Sequence, residues 1–211
     1  MKASLALAAT AAALLLAATG CSSSDEPADS DGDAAAVDVE AAPTDLTWRT
    51  VGGLRVPVSR ADGPAKTTPP EGYSHTPQGA ALAAANAQAV LATATDDTWA
   101  ETVRTVTAPG PGRDEFAFAR TLMSVTGPVA AKDVSTFVGF KIPEYTPERA
   151  IVLLATRTPE RNGQSLLTAY PVQTQWMAGD WKVVLPQQSD EVDAAELADL
   201  AQFTAWDEET S

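Results

Sequence analysis

One cysteine and one histidine are all that this 211-residue chain offers for thiol chemistry, imidazole catalysis or soft-metal ligation. With Cys21 alone, no disulfide forms within the chain, and the fold rests on its core. A transition-metal site needs several ligands, and only carboxylates remain as companions for His75, so neither a metal nor a cofactor is expected. Aromatic residues make up only 6% of the chain, and 14 bases face 28 acids. No basic patch interleaved with aromatics occurs, which argues against nucleic acid as a partner. The glycine-rich phosphate loops and the G-x-S-x-G nucleophile elbow are also absent, so no motif identifies a reaction.

What is present begins at the N-terminus. Lys2 supplies a positive flank, residues 3–20 are apolar and dominated by Ala and Leu, and Ala18-Thr19-Gly20 precede Cys21. Residues 1–20 therefore read as a signal peptide. The segment resembles a bacterial lipoprotein leader, with Ala18 where that pattern usually has Leu; the resemblance implies acylation of the Cys21 sulfur. Two other readings compete. About 18 residues at 1.5 Å each nearly cross a bilayer, although alanine contributes little to insertion. A secretory leader cut at an Ala-x-Ala site would leave a free thiol. On the lipidated reading the partner is the membrane, reached through the lipid anchor, and the chain lies on the outer face of the cell membrane. Two or more acyl chains, at about 0.8 kcal/mol per buried methylene, make such an anchor stable.

The net charge of −14 sits in the ends of the chain. Residues 22–45 carry eight acids and no base, residues 190–211 carry eight acids and no base, and residues 46–189 hold 12 acids against 13 bases. The first acidic stretch has almost nothing to bury, so residues 21–45 are expected to be a lipidated cysteine followed by a disordered tether. Residues 46–189 suit one domain. Residues 190–211 form an acidic tail, in which Leu197, Leu200 and Phe203 suggest a short amphipathic helix from Asp190 to Trp206.

Within the domain, Gly52-Gly53 predicts a hairpin between extended pieces at 46–51 and 54–58. Thr76 as N-cap and Pro77 at the first helical position open an alanine-rich helix running to about residue 94, with a thin stripe of Leu82, Ala85, Ala89 and Val90. Thr95-Asp96-Asp97 breaks it and caps a second helix facing inward through Trp99, Val103 and Val106. After Pro109-Gly110-Pro111-Gly112, Asp114-Glu115 opens a third helix. Its expected core face is Phe118, Leu122 and Val125, with Phe116, Ala119 and Met123 alongside. From Val134 the period becomes two. Strands are predicted at 137–142 (ending at Pro143), 150–157, 166–177 and 181–185, with turns at Arg161-Asn162-Gly163 and Gly179-Asp180. Helices first and an antiparallel meander after them make an α+β domain, helices laid on one face of a curved sheet.

The segments Trp48-Arg49, Gly53-Leu54-Arg55-Val56-Pro57-Val58-Ser59, Gly63-Pro64, Gly72-Tyr73-Ser74-His75-Thr76-Pro77-Gln78-Gly79-Ala80 and Gly179-Asp180-Trp181-Lys182-Val183-Val184 carry a resemblance across most of residues 46–188. The chain resembles a family of uncharacterised actinobacterial exported proteins, some of them associated with integrative or conjugative elements. Its element order is also similar to the nuclear-transport-factor-two-like, or cystatin-like, superfold. That fold serves isomerases and dehydratases and equally the scaffold subunits of conjugation machines, so it selects no function.

The candidate contact residues are Tyr73, His75, Trp176 and Trp181. His75 before a helix is a potential general base, but more often such a residue caps or packs. Trp176 and Trp181 flank a turn and should pair across it, or else form a platform for a sugar or lipid. Asp96-Asp97 reads as helix capping and Glu144/Glu148 as solvated, rather than as paired catalytic carboxylates. The expectation is a non-enzymatic surface lipoprotein that binds or scaffolds an envelope protein. A small-ligand binder with a cone-shaped pocket comes next, and an isomerase- or hydratase-like enzyme last. Replacing Cys21 with Ser is expected to move the chain from the membrane fraction to the soluble one, and mass spectrometry of the native protein should find acyl groups on that sulfur. A bare thiol overturns the anchor.

Overall fold

The alanine-rich helix lies at the centre of a computed structural model that describes residues 37–190 and 194–206. The leader, Cys21 and the tether up to residue 36 fall outside the described residues, as do 191–193 and 207–211. In chain order the elements are β1 (Leu46–Val51), β2 (Leu54–Ser59), β3 (Lys66–Thr67), β4 (Pro70–Glu71), α1 (Pro77–Thr93), α2 (Trp99–Val106) and α3 (Pro111–Arg120). A 3₁₀ turn at Ala131–Asp133 leads to β5 (Thr136–Thr146), β6 (Arg149–Arg157), β7 (Leu167–Met177), β8 (Asp180–Val184), β9 (Ala195–Glu196) and β10 (Thr204–Ala205). Strands β5 to β8 form the antiparallel meander, in the order β10-β5-β6-β7-β8, and the fold is α+β.

Helix α1 starts as its sequence dictates: the Thr76 hydroxyl accepts from the Gly79 N–H at 3.0 Å, and Pro77 occupies the first turn. It is buried on nearly every side instead of along a thin stripe, because alanine lets neighbouring backbones close in all round. Its most deeply buried polar side chain, Asn86, donates from Nδ2 to the Pro57 carbonyl at 2.8 Å and to the Leu82 carbonyl at 2.9 Å. The β1–β2 turn leans on the end of the same helix. Gly52 and Gly53 have φ of 57° and 100°, and a Cβ on Gly52 would strike the Thr93 side chain.

The meander follows its turns. Asn162 and Gly163 have φ of 55° and 78°, and the β7–β8 turn is Ala178-Gly179, with φ of 53° and 79°; Asp180 already belongs to β8. Strand β5 runs on through Pro143 to Thr146, because a register shift between Lys141 and Glu144 takes the proline out of the ladder. Glu144 and Glu148 are exposed, as expected of solvated carboxylates.

Three expectations are corrected. The described part of the acidic tail forms no helix: β10 pairs with β5, β9 pairs with β7, and Trp206 is buried with its ring 4.5 Å from Phe140. The tail supplies partners to strand edges that would otherwise be bare, and this outweighs its helical spacing. Residues 37–45, assigned to the tether, are docked. Gln78 Nε2 donates to the carbonyls of Asp38 and Ala41, Ser59 Oγ donates to Thr44, and Pro43 is buried. Finally, α3 spans only Pro111–Arg120, so Leu122 and Val125 of the expected core stripe lie in the loop after it; Phe118 is 71% and Leu122 76% exposed, Val125 is half-buried, and Phe116 packs on the core.

The Arg120 guanidinium takes the buried position at the end of α3. It donates to the carbonyls of Met123 and Ala94 and to Asp96 Oδ1 at 2.9 Å. Asp96, rather than capping α2, gathers this loop. The Ser124 hydroxyl, the Val125 N–H and the Arg120 guanidinium donate to its carboxylate and hold its pKa down at about 2. A lowered folded-state pKa stabilises above the unfolded value, near 4, and the contribution disappears as pH falls through the folded one. Residues 121–125 should therefore loosen between about pH 4 and pH 2, read as rising amide exchange at Val125, and Asp96→Asn should abolish that step.

Candidate functional site

Two places on the domain have the character of a site. The first is built where the far-apart motif segments meet. The Asp180 carboxylate accepts from the backbone N–H groups of Gly72, Tyr73 and Trp181 at 3.1, 3.0 and 3.0 Å, and from Lys182 Nζ at 2.8 Å. Trp181 Nε1 donates to the Ser74 carbonyl at 3.0 Å. The first residues of β8 thus seize the loop before α1. On the other side Asp62 accepts from the hydroxyls of Ser74 and Thr76.

This clamp sets the aromatic residues in place. Trp176 and Trp181 are directly opposed in the β7–β8 ladder, with ring centroids 5.4 Å apart at 69°. His75 lies flat on Trp176 at 4.0 Å and 9°, and Tyr145 reaches Trp181 at 6.1 Å. Of the four residues singled out in the sequence, His75, Trp176 and Trp181 form one stack, while Tyr73 turns inward. Burial pushes the Tyr73 hydroxyl well above its ordinary pKa, with Asp180 adding to the shift and Arg49 opposing it. Neither the Tyr73 hydroxyl nor Arg49 Nη1 has a hydrogen-bond partner among the described residues.

The chemistry available here is limited. A carbonyl oxygen only accepts, so the contact between His75 Nε2 and the Pro147 carbonyl places the proton on that nitrogen. The imidazole is thereby occupied in holding the β5–β6 turn. Among the described residues no group of three or more His, Cys, Asp or Glu is placed to hold a metal ion. Asp180 and Tyr145 complete this clamp, yet the sequence marked Asp180 only as a turn residue and did not mark Tyr145 as a site at all.

The second place is a groove of about 980 Å³ between α3, the C-terminal half of α1 and the segment following β8. Leu91 and Ala92 of α1 line it, facing Phe116, Phe118, Ala119 and Leu122, with Tyr170, Pro171, Leu185 and Pro186 opposite. Burial lifts the Tyr170 hydroxyl to about 12. The groove is fixed in width at its base, where a Cβ on Gly112 would collide with the carbonyls of Leu185 and Pro186. Glu115 Oε2 accepts from the Gln188 N–H at 2.7 Å and ties the two walls together. A smaller hollow of about 260 Å³ shares Gln88, Pro171, Leu185 and Pro186 and carries the depression on towards Ile151 and Asp190. Sequence reasoning missed this site, because the helical spacing of Phe118 and Leu122 looks the same whether the face is covered or open.

Because Asp180 satisfies buried backbone donors, Asp180→Ala should destabilise the domain by roughly 2–4 kcal/mol, read from the denaturant midpoint. The same change should alter tryptophan fluorescence as the Trp176–Trp181 pair loses its support.

No described helix is long and apolar enough to cross a membrane. No curated protein and no solved structure matches this chain. Residues 8–205, and with them Cys21, the clamp and the groove, match one family, and the chain belongs to it: the family described as Domain of unknown function (DUF8175).

Proposed function

We propose that this chain is a lipid-anchored, extracytoplasmic binding module of the cell envelope, without catalysis of its own, which takes an apolar element of another envelope component into the α3 groove. The observation that carries the reading is the exposure of Phe118 and Leu122 on the wall of the groove. Phe118 on α3 and Leu122 in the turn after it present apolar side chains together, on a segment held by the Glu115–Gln188 and Arg120–Asp96 contacts, and such a patch marks an interaction surface. The space a ligand cone would need is filled by α1, whose residues Ala80 to Ala85 are almost wholly buried against the sheet and the β1–β2 hairpin. The leader before Cys21 and the resemblance to exported proteins with a nuclear-transport-factor-two-like order support a tethered role, with conjugative transfer as one setting.

A second reading, an apolar small-ligand binder, is favoured by the groove volume, which lies near the top of the range of about 300–1,000 Å³ for such sites. An isomerase- or hydratase-like enzyme is the least supported, since the one imidazole is held by Pro147 and Trp176.

A photo-crosslinking residue placed at Phe118 or Leu122 of the full lipidated chain, irradiated in the native envelope, separates these readings. A defined protein adduct at those positions, with none from Gln164 on the exposed β6–β7 turn, is the expected result. Absence of any adduct at 118 and 122 overturns the protein-binding reading.

A further inference from the structure

Charge, shape and hydrogen bonding around the α3 groove restrict what can occupy it. We infer that its occupant is a basic amphipathic helix of a protein partner, an inference that rests on the binding role proposed above. Among the described residues, the two contiguous hollows are lined by three carboxylates, Asp114, Glu115 and Asp190, and by no lysine or arginine. Of the nearest bases in sequence, Arg120 is buried on Asp96, and Arg113 pairs with Asp114 at 3.9 Å, so Glu115 and Asp190 carry the acidic character of the rim. Residues 191–211 carry seven further acids and no base. An apolar floor with an acidic rim complements Leu-, Ile- or Phe-bearing segments flanked by Lys or Arg, and opposes an anionic lipid surface.

Backbone considerations select a helix over an extended peptide. A strand added to the sheet would need a free edge, yet the outer edge of β8 is occupied where the Ala108 N–H donates to the Val183 carbonyl at 2.8 Å. Leu185 and Pro186 then turn their carbonyls towards Gly112 at the foot of the groove. An occupant must therefore satisfy its own backbone, as a helix does. Phe118 on the last turns of α3 and Leu122 in the turn that closes it stand exposed side by side on the groove, an apolar patch that fits the anchor residues at i, i+3, i+4 and i+7 of an amphipathic helix.

The test uses the lipidated protein in zwitterionic nanodiscs, with empty discs as reference, and labelled 18-residue peptides followed by fluorescence anisotropy. The probes are a Leu/Lys amphipathic helix, its Leu/Glu counterpart, a Leu/Lys peptide of equal composition broken by a central proline, and a neutral apolar fluorophore. The Leu/Lys helix alone among the peptides should bind above the reference. Binding should fall at least about tenfold in Phe118→Ser/Leu122→Ser, which leaves every charge in place. It should fall roughly fivefold in Asp114→Asn/Glu115→Gln and weaken with salt. Equal binding of the Leu/Glu or proline-broken peptide overturns the inference, as does peptide bound to the disc alone. If the fluorophore binds in a Leu122-dependent way and no peptide does, the groove remains a binding site but for a small apolar ligand. If nothing binds in a Leu122-dependent way, the inference and the reading beneath it both fall.

Discussion

The close approach that alanine permits around α1 is the constraint on which the remaining structure depends. A helix of Leu and Phe would hold its neighbours at the ordinary interaxial distance of about 8–10 Å. The run from Ala80 to Ala85 instead lets the meander, the β1–β2 hairpin and α2 converge on one helix. That convergence leaves Asn86 deep inside, where it survives only because Pro57 and Leu82 offer carbonyls to it. With no disulfide to assist, this packing and the pinning of its ends hold the domain together.

The ends are pinned by carboxylates. Asp180 gathers the N–H groups of the loop before α1, and Asp96 gathers those of the loop after α3. The two differ in consequence. The Asp180 clamp holds the aromatic stack and the single histidine where β7 and β8 meet the α1 entrance. The Asp96–Arg120 pair does the reverse: it fixes the end of α3 with the guanidinium in the buried position, while Phe118 stays exposed beside the groove. Rigidity of this kind lowers the ordering entropy of binding.

Local signals in the chain specify local structure wherever the backbone itself supplies the information. Thr76-Pro77 opened α1, Gly52-Gly53 and Asn162-Gly163 made turns with positive φ, and the alternation around Val172 and Trp176 made strands. The Trp176–Trp181 pairing followed from the hairpin register. Periodicity misled in three places for one reason: it reports that a face is apolar, not what lies against it. Leu197, Leu200 and Phe203 have helical spacing but lie in the irregular stretch between the short strands β9 and β10, and Phe118 and Leu122 have a core-like spacing left open. Around α1 the thin stripe understated the burial.

The order of elements, the α+β class, the hairpin turns and the start of the central helix were settled by φ preferences, capping and alternation, which act within a few residues and so are written in the chain. Which apolar face is covered, which carboxylate organises a loop, and that the acidic tail completes the sheet were decided only by tertiary contact. Those outcomes turn on competition between groups about 25–165 positions apart, such as Arg120 with Asp96 or Thr204 with Glu40, and the winner depends on a geometry that exists only after the chain has folded.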